Sequence, residues 1–374
     1  MDLRKLLKPN VTEENAIDLI RSMYGLEVIQ IRRMSSFNDQ NFFIKVSKVH
    51  QNPFIDQASE NSYTLKIINT LKSSLDGHFE SLHSAMRHLI NRGLCVPVPV
   101  MDLEGKTFNL KLLPLLNKEK ELPENEKCGI HLLTYLPGVT IAEISLTKNV
   151  LYEWGLLLAK FHQEMQDYDC PILKRKKIFY SLENVSAVKG FTEGLVEEKL
   201  NLVQRVLDKY SRKIAVNYES ISKGFLHGDF HNHNILVQKH TSNEETVYHV
   251  DGILDFEDSY HGPYIWDVGL MMAHAFLEPN GIPPIHAAGY TLAGYLSLRT
   301  LTDLEMSLLK ICMECRLCMA AVYCHHGIQS DPNNAYISNF SPDTRWDCLR
   351  ELLNSRNEDL LKQWTMISKE YSPK

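Results

Sequence analysis

The chain has 374 residues, 44% of them hydrophobic and 23% charged, proportions of an ordinary globular protein long enough for two lobes with a cleft between them. A formal net charge of −6 argues against broad nucleic-acid binding, because no basic field collects phosphates. It leaves room for one nucleotide held by a few local cations.

The opening MDLRKLLKPN has no apolar run long enough for a secretory signal, and no apolar stretch approaches the ~20 residues of a membrane span. The eight cysteines therefore read as reduced thiols, and a cytoplasmic protein is the expectation. Residues 11–25 carry Thr12 as an N-cap, Glu13 and Glu14 in the first turn and Ala16, Leu19, Ile20 and Met23 at helical spacing, with Gly25 as the stop. LEVIQIRRM, NFFIKVSK and SYTLKIIN follow as strands, rich in β-branched and aromatic residues. A helix with Phe79, Leu82, Met86 and Leu89 on one face runs to Asn91 and ends near Gly93. VPVPV at 96–100 is held extended by Pro97 and Pro99. KTFNLKLLPLL and GIHLLTYL are two more strands. Helix, three strands, helix and two strands make a small antiparallel sheet with helical cover in residues 1–135. After Leu136–Gly138 helical patterns dominate, at 151–166, at 192–210 and from Trp266 onward, interrupted by strands around 234–255. The fold class is α+β, a small sheet lobe followed by a larger, mainly helical lobe at 136–374.

Within FLHGDFHNHN, residues 225–234, Asp229 and Asn234 stand as D-x-x-x-x-N with His227 two residues before the aspartate. That is the spacing of a kinase catalytic loop. Phosphoryl transfer needs a carboxylate beside the attacking hydroxyl, to orient it and take its proton, and oxygen ligands that hold Mg²⁺ against the phosphates. Asp229 suits the first role and Asn234 the second, while His227 fixes the loop. In GILDFEDSYHGPYIWDVG, Asp255 ends an apolar strand where a second metal ligand belongs, and Asp267 is placed to accept backbone N–H bonds and brace the loop. Lys66 alternates with Tyr63, Leu65 and Ile67 and so leaves the opposite sheet face, where it can reach α- and β-phosphates; Glu80 on the next helix is its candidate partner.

His227, Asp229, Asn234, Asp255 and Asp267, with Lys66, Glu80, LLTYLPG and LLLAKFHQEM, resemble the aminoglycoside phosphotransferase and choline kinase family of small-molecule kinases. The resemblance covers nearly the whole chain. It implies a two-lobed, protein-kinase-like fold with a nucleotide-binding lobe at 1–135 and a catalytic and acceptor-binding lobe at 136–374. It favours Lys66 over its rival Lys45. GFLHGDFHNHNILV with the 252–269 motif resembles most the branch that phosphorylates 5-hydroxy-L-lysine. This implies GTP as donor, Mg²⁺ as cofactor and two small molecules, GTP and 5-hydroxy-L-lysine, as partners, with neither nucleic acid nor membrane. Choline, homoserine or an aminoglycoside-like amine in the same fold is the runner-up, and a scaffold that binds nucleotide without catalysis is the rival from another class.

The turn SSFNDQN at 35–41 departs from a phosphate loop in having no glycine. Ser35, Ser36 and Asn38 then contact phosphates through side chains, or Asn38 and Asp39 adopt the left-handed conformation. Zinc on His227, His231 and His233 is a weaker alternative, since it leaves Asp229, Asn234 and Asp255 unexplained. Cys312, Cys315 and Cys318 resemble an iron–sulfur run but sit in a helical pattern without glycine or proline, which reads as a packed stripe. For a lysine-like acceptor, Asp258, Glu278 and Glu314 are candidate ammonium partners, and Arg299 and Arg316 candidate carboxylate partners. The sequence does not rank them.

Overall fold

In a computed structural model, which describes residues 7–56, 61–116, 125–175, 178–242, 245–278, 281–330 and 342–371, Thr12 starts the first helix by accepting a hydrogen bond from the Asn15 N–H. This helix, α1 (Glu13–Tyr24), ends at Gly25, whose φ of 63° turns the chain and whose N–H bonds to Arg21 O. Strands β1 (Val28–Met34), β2 (Gln40–Val46), β3 (Ser62–Ile68), β4 (Asn109–Pro114) and β5 (Asn125–Thr134) form an antiparallel sheet in the order β1-β2-β3-β5-β4. Alternation along β2, β3 and β5 sends Phe42, Ile44, Leu65, Ile67, Ile130 and Leu132 into one core with Ala16, Ile20 and Tyr24 of α1. The short α2 (Thr70–Ser73) and then α3 (His78–Asn91) follow β3. α3 lays Phe79 over Gly129 of β5, where an added Cβ would meet the ring at 2.0 Å. The 96–100 segment pairs with β5 through Val100 N to Leu132 O and Thr134 N to Val98 O, both 2.9 Å. Pro97 and Pro99 thus fall where no N–H is asked for.

The chain divides into two compact units, Met1–Asn91 with Val96–Pro137 and Arg92–Cys95 with Gly138–Lys374. In the second, the two-residue β6 (Val139–Thr140) leads to α4 (Lys148–Glu164), α5 (Pro171–Arg175), a 3₁₀ segment (Leu182–Phe191) and α6 (Glu197–Lys209). The helix expected from 192 starts only at Glu197, because Gly194 at φ 76° breaks the run. β7 (Lys223–Leu226) precedes a hairpin of β8 (Ile235–Ser242) and β9 (Glu245–Ile253), whose tip at 243–244 lies outside the described residues. β10 (Tyr260–Pro263) returns antiparallel to β7, a pairing the sequence does not announce because both strands are four residues long and carry glycine.

Helices α7 (Tyr264–Leu277), α8 (Pro284–Leu296), α9 (Asp303–Ser330), α10 (Pro342–Asn354) and α11 (Asn357–Glu370) complete the unit. α9 has buried residues on almost every side, which makes it a central helix. Cys312, Cys315 and Cys318 are all fully buried in it. The Cys312 side chain occupies space left by Gly269 of α7, where an added Cβ would lie 2.5 Å from Cys312 Cβ. Burial pushes the thiols up, Cys318 to about 12, so they pack as neutral groups. No helix among the described residues is long and apolar enough to cross a membrane.

α4 and α8 cross backbone to backbone. A Cβ on Gly155 of α4 would lie 1.8 Å from Thr291 O, and one on Gly294 of α8 would lie 1.8 Å from Tyr152 O. Gly155→Ala should therefore destabilise the protein by about 1–3 kcal/mol through forced separation of the helices, read as a lower urea midpoint. An unchanged midpoint would show that the crossing relaxes freely.

Candidate active site

The loop joining β7 to β8 begins with His227 and Gly228. Gly228 has φ 82°, and a Cβ there would lie 2.2 Å from Asp258 O, so only glycine fits. The first turn of α7 presents Asp267 to this corner. Its Oδ2 accepts the His227 N–H at 2.8 Å and its Oδ1 the Gly228 N–H at 3.0 Å. Oδ2 also meets His162 Nε2 of α4 at 3.2 Å, and His162 Nδ1 meets the Tyr295 hydroxyl of α8 at 3.0 Å. His227 Nε2 donates to Leu254 O at 2.9 Å and its Nδ1 accepts the Asp229 N–H at 3.3 Å, which fixes a neutral ring. Burial lowers the pKa of both His162 and His227, against the attraction of Asp267.

The braced corner presents the Asp229 carboxylate, which is held on both oxygens. Arg316 Nη2 of α9 donates to Oδ1 at 2.8 Å. His231 Nε2 lies 3.1 Å and Asn234 Nδ2 3.0 Å from Oδ2. Burial pushes this carboxyl up, but His231, Arg316 and His227 outweigh it and hold it well below the usual carboxylate range. His231 accepts the His233 N–H through Nδ1 at 3.1 Å and stacks on His274 with centroids 4.9 Å apart.

Asn234 Nδ2 also donates to Asp229 O at 2.9 Å. The nitrogen of this amide is thereby turned inward, and its Oδ1 has no hydrogen-bond partner among the described residues. Across the hairpin, Ile253 pairs with Ile235 and the Leu254 N–H bonds to Asn234 O at 2.8 Å. Asp255 follows with φ 62°, the only positive φ of a non-glycine among the described residues. Such a conformation costs about 1–3 kcal/mol and is held where the surroundings fix it. An amide oxygen and a carboxylate at one end of a hairpin are the hard oxygen donors that Mg²⁺ takes, usually one or two protein ligands completed by water and phosphate. The donor set fits that ion. It does not fit zinc: both nitrogens of His227 and of His231 are engaged in hydrogen bonds. No group of three or more His, Cys, Asp or Glu side chains able to hold a metal occurs among the described residues.

In the first unit, Tyr63, Leu65 and Ile67 enter the core, which leaves Lys66 on the other face, 5% exposed and opposite His131 in the register. Lys45 is exposed. Glu80 is also exposed, and an ion pair with Lys66 is not among the contacts of the described residues. In the 35–41 turn Ser35 is exposed and Ser36 and Asn38 are half-buried. Ser36 Oγ donates to Asp39 O, and Asp39 Oδ1 accepts the backbone and side-chain N–H groups of Asn69, both at 2.7 Å. Neither Asn38 nor Asp39 is left-handed, so the turn is built without the backbone conformation that glycine would supply.

Of the acceptor candidates, Glu314 is fully buried with Lys209 at 2.8 Å and Lys310 at 2.6 Å, so it serves the interior. Arg299 lies over the Tyr264 ring at 4.5 Å. Asp258 is half-buried, its carbonyl against Gly228. Glu278 accepts from Asn232 Nδ2 of the loop at 2.7 Å, and its pKa is raised by burial. Arg316 alone reaches Asp229. The sequence reading missed this contact along with the parts of His162 and His231. The available signal for Arg316 was a charged residue inside the otherwise apolar run CRLCM, whereas the run LAKFHQE carries too many polar residues to single out His162.

Comparison with known proteins places the chain in a family. The phosphotransferase enzyme family matches residues 47–301. The chain is 29% identical over 371 residues to a hydroxylysine kinase of Xenopus laevis, covering 97% of this chain and 96% of that one. It is 27% identical over 372 residues to a hydroxylysine kinase of Bos taurus, covering 98% and 96%. Among solved structures, the amicoumacin kinase hAmiN in complex with AMP-PNP, Ca²⁺ and Ami matches with a TM-score of 0.65 at 17% identity, over 94% of this chain and 97% of that one. This last is a likeness of fold.

The buried histidines set a pH dependence. His162, facing Asp267, Arg299, His227 and Tyr295, binds a proton less readily folded than unfolded, where its ordinary value is 6.5. His274, beside His231, Arg316 and Asp229, is lowered further. Below pH 6.5 the unfolded chain therefore takes up more protons, so stability is full above that value and falls as the pH drops. The thermal midpoint should decline between pH 7 and pH 5, and a flat profile there would mean that these rings are protonated in the fold.

Proposed function

As a member of the phosphotransferase enzyme family this chain is a small-molecule phosphotransferase, and we propose that it transfers the γ-phosphate of GTP to the hydroxyl of 5-hydroxy-L-lysine. The observation that carries the reaction type is the Asp229 carboxylate, anchored on both oxygens beside an asparagine whose amide oxygen is turned outward. Similarity to hydroxylysine kinases over nearly the whole chain supports the acceptor, and the motif resemblance supports GTP.

Phosphoryl transfer asks the protein for position and charge more than for covalent chemistry. Asp229 orients the acceptor hydroxyl and takes its proton as the new O–P bond forms. His227 and Asp267 hold the loop so that the carboxylate keeps its direction. Asn234 through Oδ1 and Asp255 through its carboxylate would hold Mg²⁺, which when bound neutralises phosphate charge. Residues 1–135 hold the nucleotide: Lys66 takes the α- and β-phosphates with Ser35, Ser36 and Asn38, and Glu80 is the counter-charge available to Lys66. Residues 136–374 hold the catalytic loop and the acceptor.

The test is GDP release by the purified protein with GTP, Mg²⁺ and 5-hydroxy-L-lysine, against the same mixture without acceptor and with ATP as donor. Acceptor-dependent GDP release is expected. Dependence on choline or homoserine instead would replace the acceptor, and bound nucleotide with no turnover on any acceptor would leave a scaffold. Asp229→Asn should lower kcat by about 10²–10⁴-fold with nucleotide affinity largely kept; wild-type kcat in that variant would displace Asp229 as the base. Asp255→Ala should abolish the Mg²⁺-dependent part of nucleotide affinity, and undiminished affinity would remove Asp255 from the metal site.

A further inference from the structure

Arg316 is an under-occupied cation. Its side chain is only 11% exposed, in a stretch of α9 whose neighbours are cysteine, leucine and methionine. A guanidinium has five N–H donors. One Nη2 bond goes to Asp229 Oδ1 at 2.8 Å, and Nη1 makes a long contact of 3.4 Å with Tyr180 O. Nε is buried without a hydrogen-bond partner among the described residues. The Tyr323 hydroxyl, seven residues and two turns further along the same helix, is likewise buried and unpartnered among them. The Tyr323 ring stands 5.5 Å from that of Tyr180, whose carbonyl faces Arg316. A donor buried without a partner is destabilising, and an oxyanion at the guanidinium supplies the acceptor that Arg316 Nε lacks.

The side of Asp229 on which this donor cluster stands separates two sources of oxyanion. The metal-site residue Asn234 holds Oδ2, whereas Arg316 holds Oδ1. The donor cluster is therefore on the carboxylate oxygen away from the groups assigned to metal and phosphate. What remains on that side is the acceptor. We propose that Arg316 is the receptor for a carboxylate of the acceptor, so that the substrate is an amino-acid alcohol and not a plain amino alcohol. The proposal rests on the phosphotransferase reading of Asp229. It also gives Arg316 two settings: paired with Asp229 when no acceptor is bound, and forked onto the incoming carboxylate when one is, which frees an Asp229 lone pair for the hydroxyl.

The experiment compares kcat/KM for 5-hydroxy-L-lysine and for its decarboxylated counterpart, and likewise for homoserine and its decarboxylated counterpart, in wild type, Arg316→Lys and Arg316→Gln. Wild type should prefer the carboxylate-bearing partner of the pair it accepts. Arg316→Gln should shrink that preference by about tenfold or more, the scale of a lost charge-assisted bond, with Arg316→Lys in between. Any loss common to both partners, from a disturbed Asp229, cancels in the ratio. An unchanged ratio in Arg316→Gln, or a wild-type preference for the decarboxylated partner, overturns the assignment and leaves Arg316 as a support for Asp229. Turnover of the homoserine pair alone sinks the hydroxylysine reading while the same ratio still decides Arg316. Turnover of neither carboxylate-bearing alcohol, with choline accepted, overturns both.

Discussion

The Asp267 carboxylate, 1% exposed, is the constraint on which the loop geometry depends. It takes two consecutive backbone N–H groups and a histidine ring from another helix. Both N–H groups belong to a corner that cannot pair in a sheet, because Gly228 turns the chain left-handed there. Without an acceptor at that point two donors would be buried and unpaired, each at a cost of about 1–3 kcal/mol. The polar groups behind it follow in order: His162 is held neutral between Asp267 and Tyr295, and each link recruits another helix of the second unit. The loop is thereby part of the packing of α4, α7 and α8.

Asp229 presents a different economy of contacts. Its two oxygens are held by partners of unlike kind, a guanidinium on one side and an amide with an imidazole on the other. The carboxylate stays ionised yet keeps a fixed direction, which is what orientation of a hydroxyl requires. The same neighbourhood shows why a crowd of histidines need not mean a metal. Each ring nitrogen of His227 and His231 has a specific hydrogen-bond duty, and those duties shape the loop.

What the sequence made legible was local. Thr12 and Gly25 marked both ends of α1, the alternation of Tyr63, Leu65 and Ile67 gave the face of Lys66, and five-residue spacing brought Asp229 and Asn234 together. Asp255 and Asp267 were legible because each sits at a strand or helix end with a recognisable apolar run beside it. What stayed hidden was distant along the chain. Arg316 is 87 residues from Asp229 and His162 is 105 from Asp267, and no periodicity encodes such a meeting. The same holds for β7 and β10, which are too short to carry a pattern. The expected helix at 192 failed for a local reason, since a single glycine at φ 76° outweighs several good helix formers.

The close crossing of α4 and α8 has a kinetic consequence. Gly155 lies two turns before His162, and Gly294 is next to Tyr295, so the contact that lets the two backbones touch also sets the span of the His162–Tyr295 bond. The helices cannot part without releasing the ring that backs Asp267, and Asp267 cannot let go of His227 and Gly228 while that ring is in place. The corner that carries Asp229 has no private opening of its own. Opening the corner therefore means loosening α4, α7 and α8 together, unlike a surface loop that frays alone.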